Sequence, residues 1–271
     1  MAATVTSLHI YPVKGLKGIE VDRARCSDRG FANDRRWMVV DHERRFLTQR
    51  EHPKMATVWT DLDADRLTLS APDMPEVSVP LVAPPSRPLR VQVWRSTVDA
   101  LPAGSAEVDA WLTEYLGLPC GLVYMPDTTR RLSNPAYAGP DRLVGFADGY
   151  AYLVIGSASL ADLNDRLAKK LHPPLPMNRF RPNIVVEGAA PYAEDRWGTV
   201  RIGSATLRGV KPCGRCEVTT TDQSTGEVRG PEPLATLATY RSSDEFGVMF
   251  GMNYVTESEG EVAVGDSVEL R

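Results

Sequence analysis

Turn-forming residues set the tightest limit on what this chain can fold into. Gly15, Gly18, Gly30, Asn33, Asp41, Asp73, Pro75 and the patch "APPSRP" break the N-terminal part so often that no long element fits between them. The runs left between the breaks read as strands: "VTSLHIYPV", "RRWMVVD", "RFLT", "KMATVWT", "DRLTLSA", "LRVQVW" and "STVDAL". Short strands at close spacing predict a sandwich or a barrel.

Helical periodicity emerges only later. "SAEVDAWLTEYLG" predicts a helix capped by Ser105 and ended by Gly117, with Val108, Trp111, Leu112 and Tyr115 on one face. The stretch "MPDTTRRLSNPAYAGPDRLVGFADGY" is rich in Pro, Gly and Asp and reads as a long loop, a kind that is often functional. "SASLADLNDRLAKKLH" predicts a second helix. Ser159 and Asp162 form its capping-box-like start, Leu160, Leu163, Leu167 and Leu171 its apolar face, and Lys169 and Lys170 suit its C-terminal dipole. Beyond "PPLP" strands return in "PNIVVEG", "GTVRIGS", "ATLRGVK", "CEVTTTD", "GVMFGMNYVT" and "DSVELR", with a short helix in "PLATLATYR". The expected class is mostly β (α+β), with a few helices.

Charge narrows the partners. A formal net charge of −4 gives no global basic field for nucleic acid, so any anion site must come from a local cluster of cations. No apolar run approaches the ~20 residues of a bilayer helix, and the start "MAATVTSLHIYPVKG" has no leader pattern. A cytoplasmic protein without membrane association is the expectation. Four cysteines in 271 residues do not make a disulfide framework.

The segment "KPCGRCEVTTTDQSTGE" carries the chemistry. Its paired Cys213 and Cys216 admit several readings. A structural metal site needs further ligands, yet Cys26 and Cys120 are isolated and His9, His42, His52 and His172 show no ligand spacing. A redox dithiol wants a helix N-terminus, whereas "EVTTTD" is β-branched and strand-like. A third reading is a single thiolate offered to a cofactor, favoured by the nearby cations Arg215 and Lys211. Two buried small hydrophobes are the remaining possibility.

The cysteine segment resembles that of the molybdenum cofactor sulfurase C-terminal (MOSC) superfamily. The closer likeness is to the mitochondrial amidoxime reducing components and their bacterial relatives. "YPVKG", "NDRRWMVVD", "FLTQREHPKMA", "ASLADLN", "RFRPNIVVEG", "YAEDRW", "EPLATLATYR" and "VGDSVEL" stand in the order that family shows, from Tyr11 to Leu270. The resemblance implies a β-rich MOSC N-terminal-like domain over residues 1–115 and a MOSC β-barrel over 126–271. It implies a molybdenum–molybdopterin cofactor between them, with Cys216 as catalytic residue and metal ligand and Cys213 as the accessory cysteine of the pair.

By the same resemblance, Lys14, Gly15, Arg35 and Arg181 match positions that bind the cofactor, with Gly214 and Arg215 beside the cysteines. Asn183 offers an amide to the pterin, and Asp148 an acceptor for its amino-pyrimidine edge. Arg36 is expected to point away from the cleft, because adjacent side chains on a strand face opposite sides, and Arg179 is expected to be supporting at best. Relatives often carry a small hydroxyl residue and then proline just after Asp148, where this chain has Tyr150 and Ala151, so a different pocket wall is expected. The implied reaction is reduction of amidoximes, hydroxylamines and N-hydroxylated nucleobases. The sequence contains no four-cysteine iron–sulfur cassette and no dinucleotide fingerprint. A separate donor is therefore expected: a flavoprotein reductase, a ferredoxin-like or a cytochrome b5-like protein. The alternative is a module that carries the cofactor or transfers sulfur.

Overall fold

The computed structural model describes residues 3–271, and its strands dominate as expected. The largest sheet has nine strands. Its main path runs Val268–Leu270, Thr199–Ile202, Ala205–Gly214, Gly247–Ser258, Tyr152–Gly156, Ile184–Glu187, Thr4–Ile10 and Ile19–Val21, and Ser242–Ser243 pairs to one side. Tyr152–Gly156 and Ile184–Glu187 pair in parallel, as two strands joined by a crossover helix must. That helix is Ser157–Ala168. A second, five-stranded sheet runs Leu89–Val93, Ser96–Pro102, Cys120–Tyr124, Trp37–Asp41 and Val13–Lys14.

The helix Ala106–Leu116 buries the expected face of Val108, Trp111, Leu112 and Tyr115 and ends at Gly117, whose φ of 76° favours glycine. Ser105 stands at the N-cap position, but its side chain makes no capping bond. No helix among the described residues is long and apolar enough to cross a membrane.

Three sequence expectations change, and strands pair across the interval that separates the two expected domains. Thr4–Ile10 pairs with Ile184–Glu187, and Arg23–Ser27 pairs with Gly260–Ala263. Val5, Leu8, Ala24, Cys26 and Phe31 accordingly share one apolar core with Tyr152, Ile184, Tyr254 and Val262. Thr4–Ile10 and Ile19–Val21 therefore extend the nine-stranded sheet, and Arg23–Ser27 forms a separate small sheet with Gly260–Ala263. The crossover helix begins at Ser157, because Ser159 is turned inward: its hydroxyl donates to the Glu194 carboxylate at 2.7 Å instead of capping. Leu171 lies past the end of the helix and is 95% exposed, so the apolar face is Leu163 and Leu167 with Leu160 half-buried. Finally, "CEVTTTD" is not a strand. The strand Ala205–Gly214 ends at the motif, and Glu217–Thr220 form a 3-10 turn with Thr219 and Thr220 buried.

Candidate cofactor site

One open cleft gathers all ten residues singled out from the sequence: Lys14, Gly15, Arg35, Asp148, Arg181, Asn183, Cys213, Gly214, Arg215 and Cys216. Its empty space, mouth included, is about 940 Å³. It lies where the N-terminal segments meet the loops of the large sheet.

The cationic wall is built from residues held in unusual backbone geometry. Arg35 and Arg181 have φ of 48° and 56°, in the left-handed region that bulky residues avoid. Both arginines therefore leave the path of a strand. Strand alternation is not what separates them from Arg36 and Arg179; the loops are. Arg36 turns outward to the Met125 carbonyl and to Asp127. Arg179 is buried against the Thr220 carbonyl at 2.8 Å and Asp222 at 3.0 Å, and so braces the turn behind the cysteines.

Arg35 is locked from three sides. Its guanidinium donates to Asp34 at 2.6 and 2.9 Å, to Asn183 Oδ1 at 2.9 Å and to the Arg181 carbonyl at 3.3 Å. Asn183 also accepts from the Leu153 amide at 3.2 Å and donates to the His9 carbonyl at 3.1 Å. Its amide thus acts on Arg35, and through Arg35 on the cleft. Arg181 donates to the Leu16 carbonyl at 2.7 Å and to Gln223 at 3.3 Å. Burial pushes its guanidinium down to about 10, with the nearby Tyr11 working the other way. The Tyr11 ring serves both arginines, whose guanidinium carbons lie 4.2 and 4.3 Å from its centroid.

Lys14 ends the short strand that pairs in parallel with Trp37–Asp41. Its ammonium donates to Asp148 at 2.5 Å and lies near the Phe46 and Trp94 rings. Asp148 also accepts from the Trp94 indole at 3.0 Å. Burial opposes the Asp148 charge, but the Lys14 ammonium and both hydrogen bonds hold its carboxyl well below the usual range. Behind it, Arg131 donates to the carbonyls of Gly145, Ala147 and Asp148 and fixes the loop. Gly15 has a φ of 81°, and a Cβ there would sit 2.9 Å from Met55.

The sulfur wall is looser. Arg215 lies between the cysteines, donating to Cys213 Sγ at 3.1 Å and to the Phe180 carbonyl at 2.8 Å, while its buried Nε has no partner. The guanidinium therefore engages Cys213, the accessory cysteine. Cys216 follows in extended backbone, and its carbonyl caps the 3-10 turn through Thr219. Among the described residues nothing hydrogen-bonds its Sγ, which faces the cleft. Gly214 is needed for close approach, since a Cβ there would meet the Phe246 carbonyl at 2.6 Å.

Several residues of the cleft were not anticipated. Gln49 and Gln223 exchange amide hydrogen bonds at 3.2 and 2.9 Å and join the N-terminal half to the cysteine segment. Both stand in stretches already singled out, "FLTQREHPKMA" and "TTTDQ", but their pairing spans the chain. Trp94 and Arg50 also line the cleft, as does Tyr150, the residue expected to alter its wall. Burial pushes the Tyr150 hydroxyl up to about 12.

Five cations and one carboxylate line this space: Lys14, Arg35, Arg50, Arg181 and Arg215 against Asp148. The cleft therefore carries a local excess of positive charge in a chain of net charge −4. Among the described residues no three His, Cys, Asp or Glu side chains cluster to hold a metal ion. A metal bound at Cys216 would have to bring most of its ligands with it. The donor set fits such a group: one uncommitted sulfur on one wall, and fixed cations for an anionic tail on the other.

The fold and this cleft define a MOSC-domain protein. Residues 2–119 match the MOSC N-terminal beta barrel domain and residues 141–269 the MOSC domain. The chain is 35% identical over 283 residues to mitochondrial amidoxime-reducing component 1 of Homo sapiens, covering 98% of this chain and 82% of that protein. It is 34% identical to mitochondrial amidoxime reducing component 2 of Rattus norvegicus, with the same coverage. The chain belongs to the MOSC-domain family that includes these amidoxime-reducing components.

Proposed function

We propose that this chain is a molybdenum cofactor-dependent oxidoreductase that reduces N-hydroxylated compounds with electrons from a separate donor protein. The observation that carries the reading is the Cys216 thiol, without a hydrogen-bond partner among the described residues, in a cleft with an excess of fixed positive charge. The names of the relatives support it by pointing to amidoximes as substrates. When bound, the cofactor supplies the two-electron chemistry that breaks the N–O bond.

The protein's share is binding and orientation. Cys216 gives the thiolate ligand. Arg35 and Arg181 hold the anionic tail, and neither has to reorganise, because Asp34, Asn183 and Tyr11 already fix them. Asp148, kept ionised beside Lys14, is an acceptor for the amino edge of the pterin. Arg215 steadies the end of the strand Ala205–Gly214 through Cys213.

The test is molybdenum and pterin analysis of protein from a host that makes the cofactor, followed by benzamidoxime reduction with an artificial donor. Near one molybdenum per chain, with turnover, is expected. A metal-replete preparation inert toward every N-hydroxylated compound would end the reductase reading. A persulfide on Cys216 without turnover would mark sulfur transfer instead.

A further inference from the structure

A second cavity adjoins the cofactor cleft, and the two share Leu47, Thr48, Arg50 and Trp94. The second space extends past His42 and His52 toward Leu118 and Pro119. Trp94 and Arg50 therefore stand where any compound passing from one space to the other must go.

Trp94 lies in the tight turn between Leu89–Val93 and Ser96–Pro102, at a φ of 54° that a bulky residue adopts only at a cost. Its side chain explains how the turn is held. The indole N–H donates to Asp148, and the ring lies within 5.5 Å of the Lys14 ammonium. The Arg50 guanidinium covers the same ring at 4.6 Å.

The other arginines of the cleft are anchored. Arg35 binds Asp34 and Asn183, Arg181 binds the Leu16 carbonyl and Gln223, and Arg215 binds Phe180 and Cys213. Arg45, lining the second cavity, is committed to Asp41 and Glu43. Arg50 is exposed, and among the described residues its guanidinium meets only the Trp94 ring. It is thus the cation left for an anion arriving from outside. The indole beside it suits a flat ring.

We propose that Arg50 and Trp94 form a substrate subsite that selects planar N-hydroxylated compounds bearing an anionic group. The inference rests on the reductase reading above and adds to it a class of preferred substrate. The aromatic body stacks at the Trp94 turn, its N-hydroxyl end points into the cofactor cleft, and its anion pairs with Arg50.

The experiment compares benzamidoxime with 4-carboxybenzamidoxime on fully loaded protein, alongside calorimetric binding of 4-carboxybenzamidine, which cannot turn over. The carboxylate probe should be preferred, and the preference should weaken with added salt. Arg50→Gln should lower the ratio of the two kcat/KM values, and the affinity for 4-carboxybenzamidine, each about tenfold. Trp94→Ala should raise KM for both aromatic probes relative to acetamidoxime, and Trp94→Phe should restore part of the loss. An unchanged substrate ratio in Arg50→Gln overturns the proposal. So does loss of molybdenum and pterin from that variant, which would assign Arg50 to the cofactor. If loaded wild type reduces neither probe, the reductase reading fails, while the calorimetry still decides whether Arg50 binds the carboxylate.

Discussion

The two walls of the cleft are built on opposite principles. On the cationic wall each charge is fastened before any ligand arrives: Arg35 by Asp34 and Asn183, Arg181 by Leu16 and Gln223, and both against Tyr11. On the sulfur wall, Cys216 Sγ has no partner among the described residues, and Cys213 accepts a bond from Arg215. The difference teaches where the fold spends its hydrogen bonds. Fixed charge is useful only when its orientation is settled beforehand. A metal ligand must stay uncommitted until the metal comes.

The contrast breaks most visibly at Cys216. Cys216→Ser should fold normally, lose the thiolate-to-molybdenum absorption and lower turnover by at least ~100-fold. Cys213→Ser should cost about tenfold or less. Equal loss in both variants would mean that the wrong cysteine has been given to the metal.

Next in size is a stability effect on the other wall. Arg35→Ala leaves the buried Asp34 without the cation it is hydrogen-bonded to and should cost ~3–5 kcal/mol in denaturant unfolding. A variant as stable as wild type would show that the cationic wall is not part of the framework. Arg181→Ala and Arg179→Ala sharpen the same point by separating two readouts. Loss of Arg181 should appear chiefly as lower cofactor retention. Loss of Arg179, whose bonds go to Thr220 and Asp222, should appear as ~1–3 kcal/mol of stability with milder cofactor loss. Greater cofactor loss in the Arg179 variant would reverse that division.

The smallest effect concerns pH. The Asp148 carboxyl is held below its ordinary value of ~3.9, so its contribution is complete above about pH 5 and fades as pH falls through the folded-state value. The stability difference between wild type and Asp148→Asn should be flat from about pH 7 to 5 and shrink on further acidification. A difference that grows in acid would contradict the Lys14–Asp148 pairing.

Much of this was legible in the sequence, for physical reasons. Local periodicity identified the buried face of Ala106–Leu116, and Trp37, Trp197 and Phe180 pack inside as their bulk predicts. The residues matched by resemblance meet in one cleft. What stayed hidden depends on partners far away in the chain. Ser159 looked like a cap because Glu194 could not be placed beside it. The β-branched run after Cys216 suggested a strand, but the threonine hydroxyls bond back to carbonyls three residues earlier and close a turn. Arg35 and Arg181 reach the cleft through left-handed backbone, which periodicity does not report. Arg50 stands in the quoted stretch "FLTQREHPKMA" and Trp94 at the end of a strand, but neither was singled out, because their meaning comes from standing where two spaces join.

The pairing of Thr4–Ile10 with Ile184–Glu187, and of Arg23–Ser27 with Gly260–Ala263, has a temporal consequence. During synthesis the first strands leave the ribosome long before their neighbours exist, and they must wait with their edges open. The cleft takes shape only once Asn253, which lines it, has emerged. On the proposed function, loading of the pterin would therefore be one of the last events in the making of the molecule.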